Sequence, residues 1–171
     1  MPTNIEIKAR VRDFDALSIR AQQMSDTPAG IIPQVDTFFA IPHGRLKLRQ
    51  LAPNLAQLIY YERPDQEGPK RSEYLIFETS RPEELRSVLA AALGLRGVVR
   101  KERRLYMVGQ TRIHLDDVEG LGRFMELEVV LRPGQSEADG KAVAQGLMTA
   151  LGIQESDLLE GAYVDLLEID A

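Results

Sequence analysis

The chain has 171 residues, 44% of them hydrophobic and 27% charged, with a formal net charge of −5 and no cysteine. These values exclude wholesale disorder, disulfides, thiolate nucleophiles and Cys-ligated zinc. The net negative charge argues against general nucleic-acid affinity, which needs a basic face. Met1-Pro2-Thr3-Asn4-Ile5-Glu6 lacks the basic region and apolar run of a secretory signal. No apolar stretch reaches the length of a membrane span, so the expectation is a cytoplasmic protein forming one domain over 1–171, with no membrane or nucleic-acid partner.

Residues 4–12 alternate, with Asn4, Glu6, Lys8 and Arg10 on one face and Ile5, Ile7, Ala9 and Val11 on the other, which predicts a two-faced strand. Phe14, Leu17, Ala21 and Met24 then recur at helical spacing behind Asp13, a candidate N-cap. Thr27-Pro28-Ala29-Gly30 reads as a loop. Strands are predicted over about 35–41, 44–51, 55–63 and 71–79. Ser80 and Glu83 stand at capping-box spacing before a helix that Gly94 ends. Three more strands, about 98–108, 111–119 and 123–132, are joined by Gly109-Gln110 and Glu119-Gly120-Leu121-Gly122, hairpin-length links that make them antiparallel neighbours. A helix runs from Ser136 to about Leu151, and the tail from Asp157 has helical character. Many strands on short hairpins predict an all-β core, α+β overall: an eight-stranded antiparallel closed β-barrel with helices packed outside.

The polar faces of these strands are pointed rather than mixed. Arg45, Lys47 and Arg49 share a face, as do Lys101 and Arg103, then Arg112, His114 and Asp116, then Glu126 and Glu128. Taken singly, each is the ordinary solvated side of a strand. Collected inside one barrel, they put Glu6, Asp116, Glu126 and Glu128 against a larger number of cations. Eight strands enclose room for one small ligand, and confined cations need compensating charge. A triphosphate supplies it and suits Arg and Lys donors. Clustered carboxylates beside phosphate point to Mg²⁺ or Mn²⁺.

The segment Asn4-Ile5-Glu6-Ile7-Lys8 resembles the Glu-x-Glu-x-Lys signature of the CYTH superfamily, the triphosphate tunnel metalloenzymes. Leu46-Lys47-Leu48-Arg49 resembles that family's basic strand, and Lys101-Glu102-Arg103-Arg104-Leu105-Tyr106 its Lys-x-Arg-x-x-Tyr strand. Leu115-Asp116-Asp117-Val118 with Phe124-Met125-Glu126-Leu127-Glu128 resembles its Leu-Asp-x-Val and Phe-x-Glu-x-Glu segment, and Gly161 to Leu167 its C-terminal end. The ordered set spans nearly the whole chain. Two departures stand out: Asn4 replaces the first Glu of the signature, and Arg63 takes the place of a Lys that often follows a Leu-Thr-Leu strand.

The resemblance implies that Glu6, Glu126 and Glu128 ligate Mg²⁺ or Mn²⁺, with Asp116 near them directly or through water. It implies that Arg45, Lys47, Arg49, Arg63, Lys101 and Arg103 grip phosphate. Lys8 would bind phosphate or, in a hydrolase, help prepare the attacking water, which makes Lys8 and Glu6 the candidate catalytic pair. The pattern is closest to the class IV adenylate cyclase branch, converting ATP to cyclic AMP and pyrophosphate. Hydrolysis of tripolyphosphate, thiamine triphosphate or a nucleoside triphosphate uses the same grip. A non-catalytic nucleotide or polyphosphate-binding module is the third reading; under each of them the protein is expected as a monomer or homodimer.

Overall fold

The protein is described by a computed structural model covering residues 2–170, with the backbone alone for 168–170. Its strands are β1 (Thr3–Arg10), β2 (Gly30–Phe39), β3 (Arg45–Ala52), β4 (Leu55–Glu62), β5 (Lys70–Thr79), β6 (Leu95–Val108), β7 (Thr111–Val118), β8 (Gly122–Val130) and β9 (Leu158–Leu159). Helices α1 (Phe14–Met24), α2 (Pro82–Leu93), α3 (Glu137–Leu151) and α4 (Tyr163–Asp170) lie between and after them.

The sheet order is β5-β4-β3-β2-β6-β7-β8-β1-β9, and β5 also pairs with β1, so eight strands close into a barrel. Every pairing is antiparallel. The expected barrel is therefore the fold, with β9 as an addition. The free edge of β1 is divided. Its first half, Thr3 to Glu6, pairs with β5, and Lys8 and Ala9 pair with β9.

Alternation sends the apolar faces of the strands outward. Ile5, Ile7, Ile113, Leu115, Met125, Leu127 and Val129 pack under Leu17 and Ala21 of α1 and Ala144, Leu147, Met148 and Leu151 of α3. Phe39, Leu48 and Ala56 pack under Leu85 and Leu89 of α2. Each such side chain contributes about 1.5–3 kcal/mol when fully buried, so the helices clamp the barrel from outside and leave its lumen free for polar groups. Gly140 lets α3 lie close against the barrel: a Cβ there would meet Ile5 Cγ1 and Leu131 Cδ2 at 2.5 Å each.

Helix ends follow local chemistry. Asp13 caps α1 by accepting from the Ala16 amide at 3.1 Å. Ser136 and Asp139 form a capping box on α3, and Gly152 ends it in the left-handed region at φ 75°. The expected box at Ser80 and Glu83 is not formed. Arg81 is the N-cap of α2, and Thr79 Oγ1 takes its amide instead, because Pro82 at the first helical position moves the start one residue on. β2 begins at Gly30, earlier than the alternation of 35–41 indicates. Pro33 tolerates this because β3 pairs only from Val35 onward, leaving one edge of β2 free there. Among the described residues no helix is long and apolar enough to cross a membrane.

Lys70 is fully buried in the wall of β5, and its ammonium donates to the Gln66 carbonyl at 2.8 Å. Burial, then the neighbouring Arg63, pushes its pKa down to about 8. The unfolded chain therefore binds more protons than the native one between about pH 8 and the ordinary lysine value, so this group makes stability rise with pH across that window. Lys70→Met is expected to flatten the rise, read as melting temperature from pH 7 to 10.

Candidate active site

The inward positions of the barrel enclose a cavity of about 430 Å³. β1 contributes Asn4, Glu6 and Lys8, β2 Gln34, Asp36 and Phe38, β3 Lys47 and Arg49, and β4 Tyr61 with Arg63 just beyond it. β6 contributes Lys101 and Arg103, β7 Arg112 and His114, and β8 Glu126 and Glu128. The period of two carries each set to one side, and the antiparallel register brings the sets level: Asp36 beside Arg49, Glu6 beside Glu128, Lys8 and His114 on either side of Glu126.

On one wall the cations converge on Asp36, which is 1% exposed. Arg49 grips it with two hydrogen bonds of 2.9 and 2.8 Å, Lys101 donates at 2.8 Å, and Lys47 stands at 3.6 Å. Burial pushes the Asp36 carboxyl up, but Arg49, Lys101 and Lys47 outweigh it and hold it well below the usual carboxylate range. Three cations meet one carboxylate, so the wall keeps a positive surplus.

The facing wall is acidic. Arg63 donates to Glu6 at 2.9 Å, Lys8 lies 3.5 Å from Glu126, and Arg103 lies 3.3 Å from Glu126. Burial raises the Glu126 carboxyl, but Lys8 and Arg103 more than reverse this and hold it well below its ordinary value. Burial, only partly offset by Glu126, lowers the Lys8 ammonium to about 7. His114 sits 3.8 Å from both Glu126 and Glu128, and burial, then Arg103, lowers its pKa.

These residues fit a hard divalent cation. Glu6, Glu126 and Glu128 face the cavity from paired strands and offer oxygen only. Asn4 donates its amide to Glu128, and its own carbonyl oxygen is buried without a hydrogen-bond partner. An orphaned acceptor beside carboxylates is the arrangement a cation completes. Before any cation arrives the carboxylates are held by cations of the protein, and no group of three or more His, Asp or Glu is preassembled around one point among the described residues.

One end of the barrel is covered by the C-terminal strap. The Gly161 carbonyl accepts from Lys8 at 3.0 Å and from Arg63 at 2.7 Å. The Tyr163 ring lies 4.1 Å from the Lys8 ammonium, and its hydroxyl donates to Asp116 at 2.9 Å. Asp165 accepts from the Ala162 amide at 2.7 Å and from Arg45 at 2.8 Å. Gly97 lets the strap approach, since a Cβ on it would meet Val164 Cγ2 at 2.7 Å.

The expected residues thus divide. Glu6, Lys8, Lys47, Arg49, Arg63, Lys101, Arg103, Glu126 and Glu128 all line the cavity. Arg45 does not: Asp65 and Asp165 hold it at 2.9 and 2.8 Å under the strap. Asp116 lies behind the lumen, fully buried, with both oxygens taken by Arg103 at 2.8 Å. Arg10, on the polar face of β1, is exposed at the rim near Phe124. Sequence reasoning missed Asp36, whose signal is its alternation with Gln34 and Phe38, and gave Tyr163 no site role, though it falls in the C-terminal segment that carries the family resemblance.

A closed antiparallel barrel with an ionic lumen defines a tunnel protein rather than a barrel filled with a hydrophobic core. The chain belongs to the CYTH domain family, whose model matches residues 2–163. Members of this family act on triphosphates, generally with a divalent metal. The PH1012 protein of Pyrococcus horikoshii superposes with a TM-score of 0.85 at 25% identity, over 95% of this chain and 98% of that one. A candidate adenylate cyclase of Vibrio parahaemolyticus gives 0.77 at 21% identity, over 96% and 97%. A Hippeastrum protein with a dominant triphosphatase activity gives 0.64 at 18%, over 90% and 89%. Sequence comparison with curated proteins finds no match.

Proposed function

We propose that the protein is a divalent-metal-dependent triphosphatase acting on a small molecule that enters by the uncovered end of the tunnel. The observation that carries this reading is the polarity of the cavity along its length. The C-terminal strap covers the end where Lys8 and Arg63 lie, so a triphosphate threads in terminal phosphate first and its bulkier part stays behind. Lys47, Arg49, Lys101 and Arg103 grip non-bridging oxygens on one wall. Glu6, Glu126, Glu128 and the Asn4 carbonyl would hold the cation on the other. When bound, that cation neutralises phosphate charge and aligns the anhydride. Lys8 and Glu126, 3.5 Å apart at the covered end, hold and orient the attacking water beside the terminal phosphorus. The water oxygen bonds to that phosphorus as the anhydride P–O bond breaks; the water's proton passes to the phosphate oxygens, and orthophosphate leaves with the diphosphate product. Arginines already aimed at the site stabilise charge on the transferred group without reorganisation.

Cyclisation of ATP is the second reading, favoured by full-length similarity to the Vibrio candidate cyclase. It uses the same grip but attacks the α-phosphorus with the ribose 3′-hydroxyl. Purified protein is incubated with ATP, GTP, thiamine triphosphate or tripolyphosphate and Mg²⁺ or Mn²⁺, and the products are resolved by chromatography. Orthophosphate with diphosphate is the expected result. Cyclic AMP with pyrophosphate replaces hydrolysis by cyclisation, and tight triphosphate binding without product replaces both by a binding module.

A further inference from the structure

Tyr163 touches both the basic and the acidic side of the site. It stands at the start of α4, is 4% exposed, and lines the cavity. Its ring lies 4.1 Å from the Lys8 ammonium and 5.5 Å from that of Lys101, and packs on Phe124 with ring centroids 5.2 Å apart. Its hydroxyl donates to Asp116 Oδ2 at 2.9 Å. Asp116 holds the Arg103 guanidinium through two bonds of 2.8 Å, Arg103 stands 3.3 Å from Glu126, and Glu126 stands 3.5 Å from Lys8. The contacts close a circuit that runs from Tyr163 through Asp116, Arg103, Glu126 and Lys8 back to the Tyr163 ring.

Each link supplies what a side chain lacks. A lysine is a point charge on a flexible stem, with no preferred direction of its own. Lys8 takes its direction from Glu126 on the barrel and from the Gly161 carbonyl and the Tyr163 ring on the strap. An aromatic face attracts a cation most where water is excluded, and Lys8 is 3% exposed. Arg103 has to present its fork to phosphate while Lys101 and Arg49 repel it. The paired grip of Asp116 fixes the plane of that fork. The Tyr163 hydroxyl in turn holds Asp116 from the strap side. Asp116 lies behind the lumen, so what the hydroxyl does to a ligand passes through Arg103.

We propose that Tyr163 is a positioning residue: its ring seats the Lys8 ammonium and its hydroxyl, acting through Asp116, sets the Arg103 guanidinium, so both cations reach their working places only with the strap docked. This rests on the triphosphatase reading above and deepens it, because the strap becomes a working part of the site as well as a cover for its end. An ammonium shifted by about 1 Å, or a fork turned off its phosphate, slows the chemistry far more than it weakens binding.

The test joins steady-state hydrolysis of ATP and of tripolyphosphate with Mg²⁺ to NMR of the chain labelled with ¹³C at lysine. Tyr163→Phe keeps the ring on Phe124 and removes the hydroxyl. It is expected to lower kcat about tenfold and to leave KM within about twofold, the pattern of an interaction made in the transition state. Asp116→Asn denies Arg103 its paired oxygens. In that background Tyr163→Phe is expected to cost nothing further, because the hydroxyl acts only through that pair. A packing role would instead lower the melting temperature and leave kcat alone. The ε-methylene signals of Lys8, shielded by the ring, are expected to persist in Tyr163→Phe and to move to the ordinary lysine position in Tyr163→Leu, with no substrate present. Unchanged kcat in Tyr163→Phe, an equal cost with and without Asp116, or Lys8 signals indifferent to Tyr163→Leu overturns the positioning. A wild-type chain that releases no orthophosphate from either compound overturns the triphosphatase reading, and the Lys8 signals then decide whether the ring seats that ammonium.

Discussion

Glu126→Gln is expected to lower kcat of metal-dependent turnover at least about a hundredfold while the circular-dichroism spectrum stays that of the native barrel. The side chain keeps its size and loses its charge. Glu126 faces Lys8 at 3.5 Å, Arg103 at 3.3 Å and His114 at 3.8 Å, so it is the carboxylate at which the acidic wall meets its cations. The amide offers a cation one neutral oxygen and offers Lys8 a weaker partner. Steady-state assays across Mg²⁺ or Mn²⁺ concentrations read the loss; unchanged activity at saturating metal removes Glu126 from the ligand set.

Asp36→Asn is expected to act in a different way. It leaves Arg49, Lys101 and Lys47 facing one another across a buried neutral amide, and uncompensated buried charge of this kind costs about 3–5 kcal/mol. The melting temperature falls by about 10 °C for a chain of this size. Tripolyphosphate then restores more stability to the variant than to the wild type, because the anion supplies the charge that Asp36 gave. The pH sense follows from the depressed carboxyl. The contribution of Asp36 is fully present above the unfolded pKa of an Asp, about 4, and is lost as pH falls through the lower native value. Wild type and variant therefore differ most near neutrality and converge in strong acid. Thermal melts from pH 2 to 7, with and without tripolyphosphate, measure both effects, and a ligand shift no larger than that of the wild type rejects the cradle.

Asp36 also marks where sequence reading ends. In β2 both faces carry aromatic or polar residues, with Gln34, Asp36 and Phe38 on one and Val35, Thr37 and Phe39 on the other. Alternation alone does not say which face is inward. The answer lies in the register with Arg49 and Lys101 on two other strands, a non-local fact. By contrast β1, β3, β7 and β8 have one clearly ionic and one clearly aliphatic face, and their inward residues were legible from period two. The barrel followed from hairpin-length links. Arg45 and Asp116 lie on the inward-facing alternation yet outside the cavity, because the strap and the bidentate grip of Arg103 claim them. Strand alternation gives a direction but not a depth. The inward positions of Ile32, Leu51, Ile76 and Leu105 were hidden for a related reason: inside an ionic barrel, an inward aliphatic looks like an ordinary outward one.

The divided edge of β1 sets the timetable of folding. The first strand made cannot find its long partner until residues 122–130 are synthesised, and its second half waits for Leu158 and Leu159. A ribosome-bound chain therefore holds an open sheet until β8 emerges, and Lys8 lacks the Gly161 carbonyl until the strap follows. Long-range pairing of this kind slows closure and exposes a free edge to other chains in the interval. The unclosed sheet carries repelling cations on its inner face through that period, and their charge keeps the waiting edges of neighbouring copies apart.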